Sequence, residues 1–352
     1  MSLTKKIISA IHSHHKIDAI ITLTEKALPL ASELSRFLGL KALSWETMER
    51  IQNKYAMRLF LSDHAEYSLK FAKPKNKKEL ECFFTTTGSP LIVKPIDGYD
   101  SKDVIQVNSI NDIENICFSS NLIAEEFISG EEYSVEAFSF SGNHKIIAIT
   151  KKDLIENEDG KNFTEIGHCV PADLSKTVQQ KIINYISQFL TLIGLDEGPS
   201  HTEIKLDGEK IRIIETHNRI GGDRISSLVK LSTGIDLVQL SILWPLGLCA
   251  PIEKNIINFC SAAIRFFTPG PGYGKLERIE GYETLQYFPN IVDIELHCKL
   301  GDFIYPISNS SNRYGFVIAI GSNEDDATKT ARKAASSLHF IVNCNEKSLP
   351  RS

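Results

Sequence analysis

The stretch Gly198-Pro199-Ser200-His201-Thr202-Glu203-Ile204-Lys205, followed by Ile211-Arg212-Ile213-Ile214-Glu215-Thr216-His217-Asn218-Arg219-Ile220-Gly221-Gly222-Asp223-Arg224, decides how this chain is read. Two apolar, β-branched runs flank Asp207-Gly208, so the pair predicts a hairpin. Each strand carries an acid where a plain core strand would place an aliphatic. Alternate residues of an extended strand share a face, which puts Glu215, His217 and Arg219 on one side. A three- or five-residue loop puts Glu203 on that same face, whereas the two-residue loop that Asp-Gly favours puts it on the other. Hard cations take carboxylate oxygens, arginine takes phosphoryl oxygens in a fork, and paired glycines let backbone N–H groups approach an anion. The set therefore suits a divalent metal with a phosphorylated ligand. A charged edge strand that keeps a sheet from pairing with its neighbours would show the same residues.

Working outward, 352 residues allow two or three domains with a sizeable core. A hydrophobic content of 42% and a charged content of 24% are ordinary for a globular protein. The net charge of −5 gives no electrostatic footprint for a nucleic-acid partner. Seven scattered cysteines without a Cys-x-x-Cys pair argue against a disulfide framework or a zinc site and for a reducing, cytoplasmic location. The start is cut by His12-Ser13-His14-His15-Lys16, which does not suit a signal peptide, and those histidines read as a solvated turn. The uncharged run Leu237–Ile252 contains Pro245 and Gly247 and falls short of the ~20 apolar residues of a spanning helix, so no membrane partner is expected.

Four units follow from the patterning. Residues 1–66 read as a partial α/β domain with a helix over 4–13, a strand over 18–24, a helix over 29–37, and a helix from Ser44 or Thr47 to about Ser62. One strand is too few for a complete domain of that type, so either the domain is reduced or the chain begins inside it. Residues 67–120 alternate strand, helix and strand in a small βαββα-like unit. In residues 121–254 strands over 122–127, 133–140 and 145–150 precede a polar loop over 151–163, a long helix over 176–193, the hairpin, and helices over 224–232 and 236–244. The C-terminal region, 255–352, alternates short strands with Gly/Pro turns and ends in a helix over 325–338 and a strand over 340–342.

Three upstream motifs complete the pattern. Lys94-Pro95-Ile96-Asp97-Gly98-Tyr99-Asp100-Ser101 places a lysine at a strand end before a Gly/Ser loop, a phosphate-binding arrangement that a plain turn with a solvated lysine also matches. In Glu125-Glu126-Phe127-Ile128 the main chain is suited to a purine edge, and Glu132 to ribose hydroxyls; an acidic hairpin is the ordinary alternative. Lys54 by itself is a helix-surface lysine.

Taken in order, Lys54, Lys94-Pro95, Glu125-Glu126-Phe127-Ile128, Glu132-Tyr133-Ser134-Val135-Glu136, Gly198–Glu203 and Ile214–Gly222 resemble the ATP-grasp superfamily, and most of all its carboxylate–amine ligases of the L-amino-acid ligase type. Pro269-Gly270-Pro271-Gly272 and Asn312-Arg313-Tyr314-Gly315 resemble that group's C-terminal region. The resemblance implies a mixed α+β and α/β architecture: an ATP-grasp fold with a truncated N-terminal α/β domain and a C-terminal α+β region. It implies ATP and Mg²⁺. Lys54 and Lys94, with Gly98 and Ser101, would hold the phosphates, Glu125 and the 126–128 backbone would take adenine, and Glu132 the ribose. Glu203, Glu215 and His217 would ligate the metal, and Arg219 would sit on the transferring phosphoryl group. Gly221 and Gly222 would point their N–H groups at the acyl phosphate, and His168 and His201 would line the substrate pocket. Small carboxylate and amine substrates are the implied partners, and a homodimer the implied assembly. Three departures stand out: Asp100 and Asp103 replace glycines of the phosphate loop, the N-terminal domain is short, and His217 stands where asparagine is usual, a softer ligand that suits Mn²⁺. A different ligation on the same scaffold, purine-biosynthetic or biotin-carboxylase-like, and a nucleotide sensor without turnover remain alternative readings.

Overall fold

The computed structural model describes residues 2–88, 90–98, 103–119, 121–155, 164–270, 273–307 and 309–343. Four helices open the chain: α1 (Leu3–His14), α2 (Leu28–Phe37), α3 (Trp45–Gln52) and α4 (Lys54–Leu61). The expected single helix from Ser44 to Ser62 is thus two. Asn53 leaves helical geometry and its side chain accepts from the Ala56 N–H, capping α4 at the residue before Lys54. The strand expected over 18–24 forms no ladder among the described residues, because no neighbouring strand lies beside it to take its backbone groups.

A small lid follows: β1 (Phe71–Ala72), α5 (Lys77–Thr87), β2 (Leu91–Pro95), β3 (Ile105–Val107), α6 (Ile110–Glu114) and β4 (Leu122–Glu126). Its sheet has the order β1-β4-β2-β3, so it reaches past the boundary expected at residue 120. Leu80 of α5 and Ile113 of α6 pack on Leu91, Val93, Val107 and Ala124, a core separate from the rest.

The large sheet holds β5 (Glu131–Phe140), β6 (Asn143–Leu154), β7 (Glu165–Val170), α7 (Lys176–Ile193), β8 (Gly198–Asp207), β9 (Lys210–His217), α8 (Ile225–Thr233) and α9 (Leu237–Leu243) with their connections. The C-terminal region adds β10 (Ser261–Phe266), β11 (Gly274–Glu280), α10 (Tyr282–Leu285), β12 (Ile291–Leu296), β13 (Phe303–Ile304), β14 (Gly315–Gly321), α11 (Glu324–Ser336) and β15 (His339–Asn343). Three of its strands complete an eight-stranded order, β12-β14-β10-β7-β6-β5-β8-β9, so this region continues the sheet as well as packing on it. Helix α7, capped by Ser175 and closed by Gly194 in the left-handed region, buries Ile182, Ile186, Phe189 and Ile193 against Val135, Ile204 and Ile213. Helix α8 lays Leu228 and Val229 over Phe138, Ile264 and Phe316 on the opposite face. Among the described residues no single helix is long and apolar enough to cross a membrane; α8 and α9 reach that length only together, bent by 98°.

The polar loop expected over 151–163 is corrected at its start only. Residues 151–154 belong to β6, and 156–163 lie outside the described residues. Charge does not break this strand because each charged residue meets an opposite one: Lys151 pairs with Glu131, Lys152 with three acids, and Asp153 with Arg265 and Arg332.

Candidate active site

The hairpin β8–β9 closes with the two-residue loop Gly208-Glu209, since Asp207 pairs with Lys210. A plain ladder from that loop would set Glu203 and Glu215 on opposite faces. A β-bulge at Ile214 adds one residue, so Ile204 pairs with Ile213 while Glu203 pairs with Glu215. Both isoleucines thereby face the core and both acids face the site. The bulged Ile214 carbonyl does not go unpaired: it accepts from Arg58 Nη2 at 2.8 Å.

Cross-strand pairing extends these acids into a polar band. Glu203 stands beside Ser134 on β5, His201 lies between Glu136 and His217, and Lys152 on β6 faces His168 on β7. A cleft over the band is lined by Glu203, Glu215, Arg219, His168, His201 and Gly222, all singled out from the sequence, and by Glu25, Lys152, Glu165 and Asp223, which were not.

The charges are tightly ordered. Lys54 Nζ lies 3.0 Å from Glu215 Oε2 and donates to the Gly98 carbonyl at 2.7 Å, while its backbone N–H meets the Ile96 carbonyl, so one residue ties α4 to the lid and to the hairpin. Burial pushes the Glu215 carboxyl up, but Lys54, His217 and Lys94 outweigh it and hold it well below the usual carboxylate range. Lys152 is buried and contacts Glu203 and Glu165 at 2.6 Å each and Glu132 at 3.2 Å. His201 Nδ1 is 3.0 Å from Glu136 and its Nε2 is 3.3 Å from Glu203. Burial disfavours its charge, yet Glu136 and Glu203 win and raise the imidazole to about 9, so it stands as a cation that orients Glu203. His217 Nε2 lies 3.2 Å from Glu215, and its Nδ1 is 3.3 Å from Glu25 without hydrogen-bond geometry. Arg219 donates to Glu25 from Nε and Nη2, at 3.2 and 2.8 Å, which brings the segment before α2 into the cleft.

At the far wall, His168 Nε2 is 3.1 Å from Asp223, which also takes a two-pronged contact from Arg313. Arg313 stacks over Phe266, its guanidinium 3.8 Å from the ring centroid. Gly221 is needed for space: a Cβ there would sit 2.9 Å from His201 Nδ1 and 3.0 Å from Glu136 Oε2. Gly222 lines the open cleft with nothing near its Cβ position.

The residues expected to face a nucleotide are placed as follows. Glu125 is buried between Arg58 and Lys94, with Arg58 Nε at 2.7 Å and Lys94 Nζ at 2.8 Å, so its carboxylate serves those cations. Glu126 accepts from the Lys70 N–H, the Phe127 N–H goes to the Pro90 carbonyl with Lys205 over its ring, and Ile128 is half-buried. Gly130, in the left-handed region at φ +98°, lets the chain pass where a Cβ would lie 2.2 Å from the Leu206 carbonyl oxygen. Glu132 sits on Lys152. Ser101 and Asp100 lie outside the described residues, and Asp103 adopts φ 59°, the conformation for which glycine is the common choice.

Arg58, Glu25, Lys152 and Asp223 escaped the sequence reading. Asp223 follows the glycine pair directly and was within its reach; Arg58 and Glu25 sit in helical stretches with no local signal.

The chain is similar in sequence and fold to known proteins. Residues 87–227 match the ATP-grasp domain family, and residues 265–343 match L-amino acid ligase C-terminal domain 2. An L-amino acid ligase structure from Bacillus licheniformis superposes with a TM-score of 0.83 at 26% identity, covering 96% of this chain and 84% of that one. The alanine–anticapsin ligase of Bacillus subtilis is 27% identical over 255 residues, 64% of this chain and 53% of the relative. The L-arginine-specific L-amino acid ligase of Bacillus subtilis is 21% identical over 324 residues, 88% of this chain and 77% of the relative. The chain thus spans about half the length of the alanine–anticapsin ligase.

Proposed function

The chain belongs to the ATP-grasp superfamily, among ligases of the L-amino acid type, and from that premise we propose that it joins a carboxylate to an amine in an ATP-dependent reaction through an acyl phosphate. The observation that carries this reading is the meeting of two facing acids, Glu203 and Glu215, with Arg219 and Lys152 around one cleft, and with Lys54 held on Glu215 from the lid side.

The donor set fits a hard divalent cation: two ionised carboxylates stand side by side on adjacent strands, with the His217 imidazole next to one of them. Magnesium, or manganese given His217, would be held by Glu203 and Glu215 and would neutralise charge on the phosphates of ATP. Lys54 and Lys94 would bind the phosphate chain from the lid side. The substrate carboxylate would attack the γ-phosphorus in line and expel ADP as the bond to the bridging oxygen breaks, with Arg219 leaving Glu25 to fork the oxygens on which charge gathers. His201, fixed between Glu136 and Glu203, would keep its acid in place without moving. An amine would then attack the acyl carbon and expel phosphate, forming an amide. Glu165, His168 and Asp223 would line the space for the incoming amine, and the Gly222 N–H would face the departing phosphate.

Release of ADP and phosphate, measured over a panel of amino acids offered singly and in pairs, tests the reading: turnover should require a second substrate. Glu215→Ala should lower turnover at least ~10²-fold while circular dichroism and the unfolding midpoint stay near wild type. Undiminished release from that variant would remove the metal assignment, and release that ignores the second substrate would remove the ligase.

A further inference from the structure

A second cavity, of about 140 Å³, lies between the segment before α2 and the start of β8. Its interior is apolar, lined by Ile20, Leu28, Leu43, Met48 and Pro199. A cavity of roughly this size takes a group as large as benzene, so a leucine, methionine or phenylalanine side chain fits. Its solvent end carries charge: Lys41, with a side chain 70% exposed, meets Glu197, 34% exposed, at 3.2 Å. Glu197 is fixed independently of that lysine, by Trp244 Nε1 at 2.6 Å and the Ser141 hydroxyl at 3.0 Å. An ammonium and a carboxylate side by side at the rim of an apolar pocket complement a zwitterion. An exposed ion pair is weak, and lysine has a flexible stem, so Lys41 can swing from Glu197 to a ligand carboxylate.

The cavity touches both sides of the Glu25–Arg219 contact. Ile20, Ile21 and Thr22 form one wall, three residues ahead of Glu25. Asn218, between His217 and Arg219, lines the cavity too and donates to the Glu197 and Pro199 carbonyls at 3.0 and 2.8 Å. The segment over 17–23 forms no ladder among the described residues, so side-chain contacts such as these set its position.

We propose that this cavity binds an α-amino acid with an apolar side chain, its carboxylate on Lys41 and its ammonium on Glu197, and that the filled cavity holds Glu25 on Arg219. The occupant ties the wall over 20–22 to Asn218, and the contact three residues further on tightens with it. Arg219 is then withheld from phosphoryl oxygens, and the bound amino acid slows the reaction. The binding site stands on the cavity alone; its effect on rate rests on the ligase reading.

The probe is L-leucine. Trp45 is 61% exposed, and Trp45→Phe leaves Trp244 as the sole tryptophan, so its fluorescence reports the cavity mouth. Leucine should change that signal saturably, whereas leucinamide, which lacks the carboxylate, and 4-methylpentanoate, which lacks the ammonium, should bind roughly tenfold more weakly. Lys41→Met in the same background should weaken leucine roughly tenfold, and Ala31→Leu, which fills the cavity from α2, should abolish its binding. If Ala31→Leu fails to fold, the exposed Lys41 decides the matter. Saturating leucine should lower ADP release from a leucine-free substrate pair roughly tenfold, and Lys41→Met should release ADP at the wild-type rate whether or not leucine is present. No leucine binding, or binding equally tight in Lys41→Met, overturns the site; in the second case leucine sits elsewhere, the catalytic cleft included. Binding that leaves ADP release unchanged overturns the link to Arg219. Protein that releases no ADP with any pair sinks the ligase reading, and the fluorescence titration still decides the site.

Discussion

At Glu125 burial and pairing pull in opposite directions, and pairing wins. Burial would raise the carboxyl, but Arg58 and Lys94 draw it from 4.5 down to about 2. The unfolded chain binds that proton more readily than the folded one, so the contribution to stability is complete above about pH 4.5 and lost as pH falls toward about 2. It amounts to about 3 kcal/mol. Glu125→Gln should therefore show a lower unfolding midpoint at neutral pH and a flatter fall between pH 4.5 and 2, read by calorimetry across that range. Parallel profiles for the two proteins would show that the carboxylate is not held by its cations. The same residue marks what a sequence can tell at this scale. The motif around Glu125 was visible and its acid was expected near adenine, yet whether it meets a base or two cations depends on Arg58, which comes from a distant helix. Acids and glycines in short motifs announce themselves; the cations that balance them arrive from elsewhere in the chain.

The break at Asn53 decides where Lys54 points. In a continuous helix Lys54 would be one more residue of α3; with Asn53 as cap it becomes the first residue of α4, its N–H on Ile96 and its ammonium between Gly98 and Glu215. Asn53→Ala should cost about 1 kcal/mol through the lost cap. ATP affinity should fall further than that stability change accounts for, because Lys54 is no longer fixed on the lid; urea unfolding and nucleotide titration read the two effects. Affinity that stays at the wild-type value would show that α3 and α4 are independent of the site. The longer helices and the hairpin could be read because their signals are local: periodic apolar residues, Ser175 and Gly194 at the ends of α7, Asp-Gly at the turn. The end of β6 could not, since Lys151, Lys152 and Asp153 look like solvent-facing residues until strands β5, β7 and β10 bring their partners. Residues 18–24 were read as a strand from composition alone, and a strand exists only where another lies beside it. The bulge at Ile214 has no glycine to announce it, so the sequence left the register of Glu203 open.

Three bodies meet in the cleft, and Arg58 is where they are joined. It rises from α4, takes Glu125 of the lid sheet at 2.7 Å, and reaches the Ile214 carbonyl of the large sheet at 2.8 Å. Its side chain is fully buried, so removing it leaves a carboxylate short of one cation and a bulge carbonyl without a donor, both cut off from water. Arg58→Met should therefore lose about 3–5 kcal/mol in urea unfolding. Lys181→Met removes an ion pair at the hairpin tip, Lys181–Glu209, whose acid is fully exposed, and should leave the unfolding midpoint where it is. The contrast matters more than either value. If Arg58 merely adds to the stability of one body, the variant should lose stability while the wild-type affinity for ATP is kept at temperatures where it is folded. If it sets the lid against the hairpin, ATP affinity should fall together with stability, because in the proposed reaction Lys54 and Lys94 would approach the phosphates from the side that Arg58 holds in register with Glu203 and Glu215. Loss of stability with affinity intact would show that the lid finds its place without this residue.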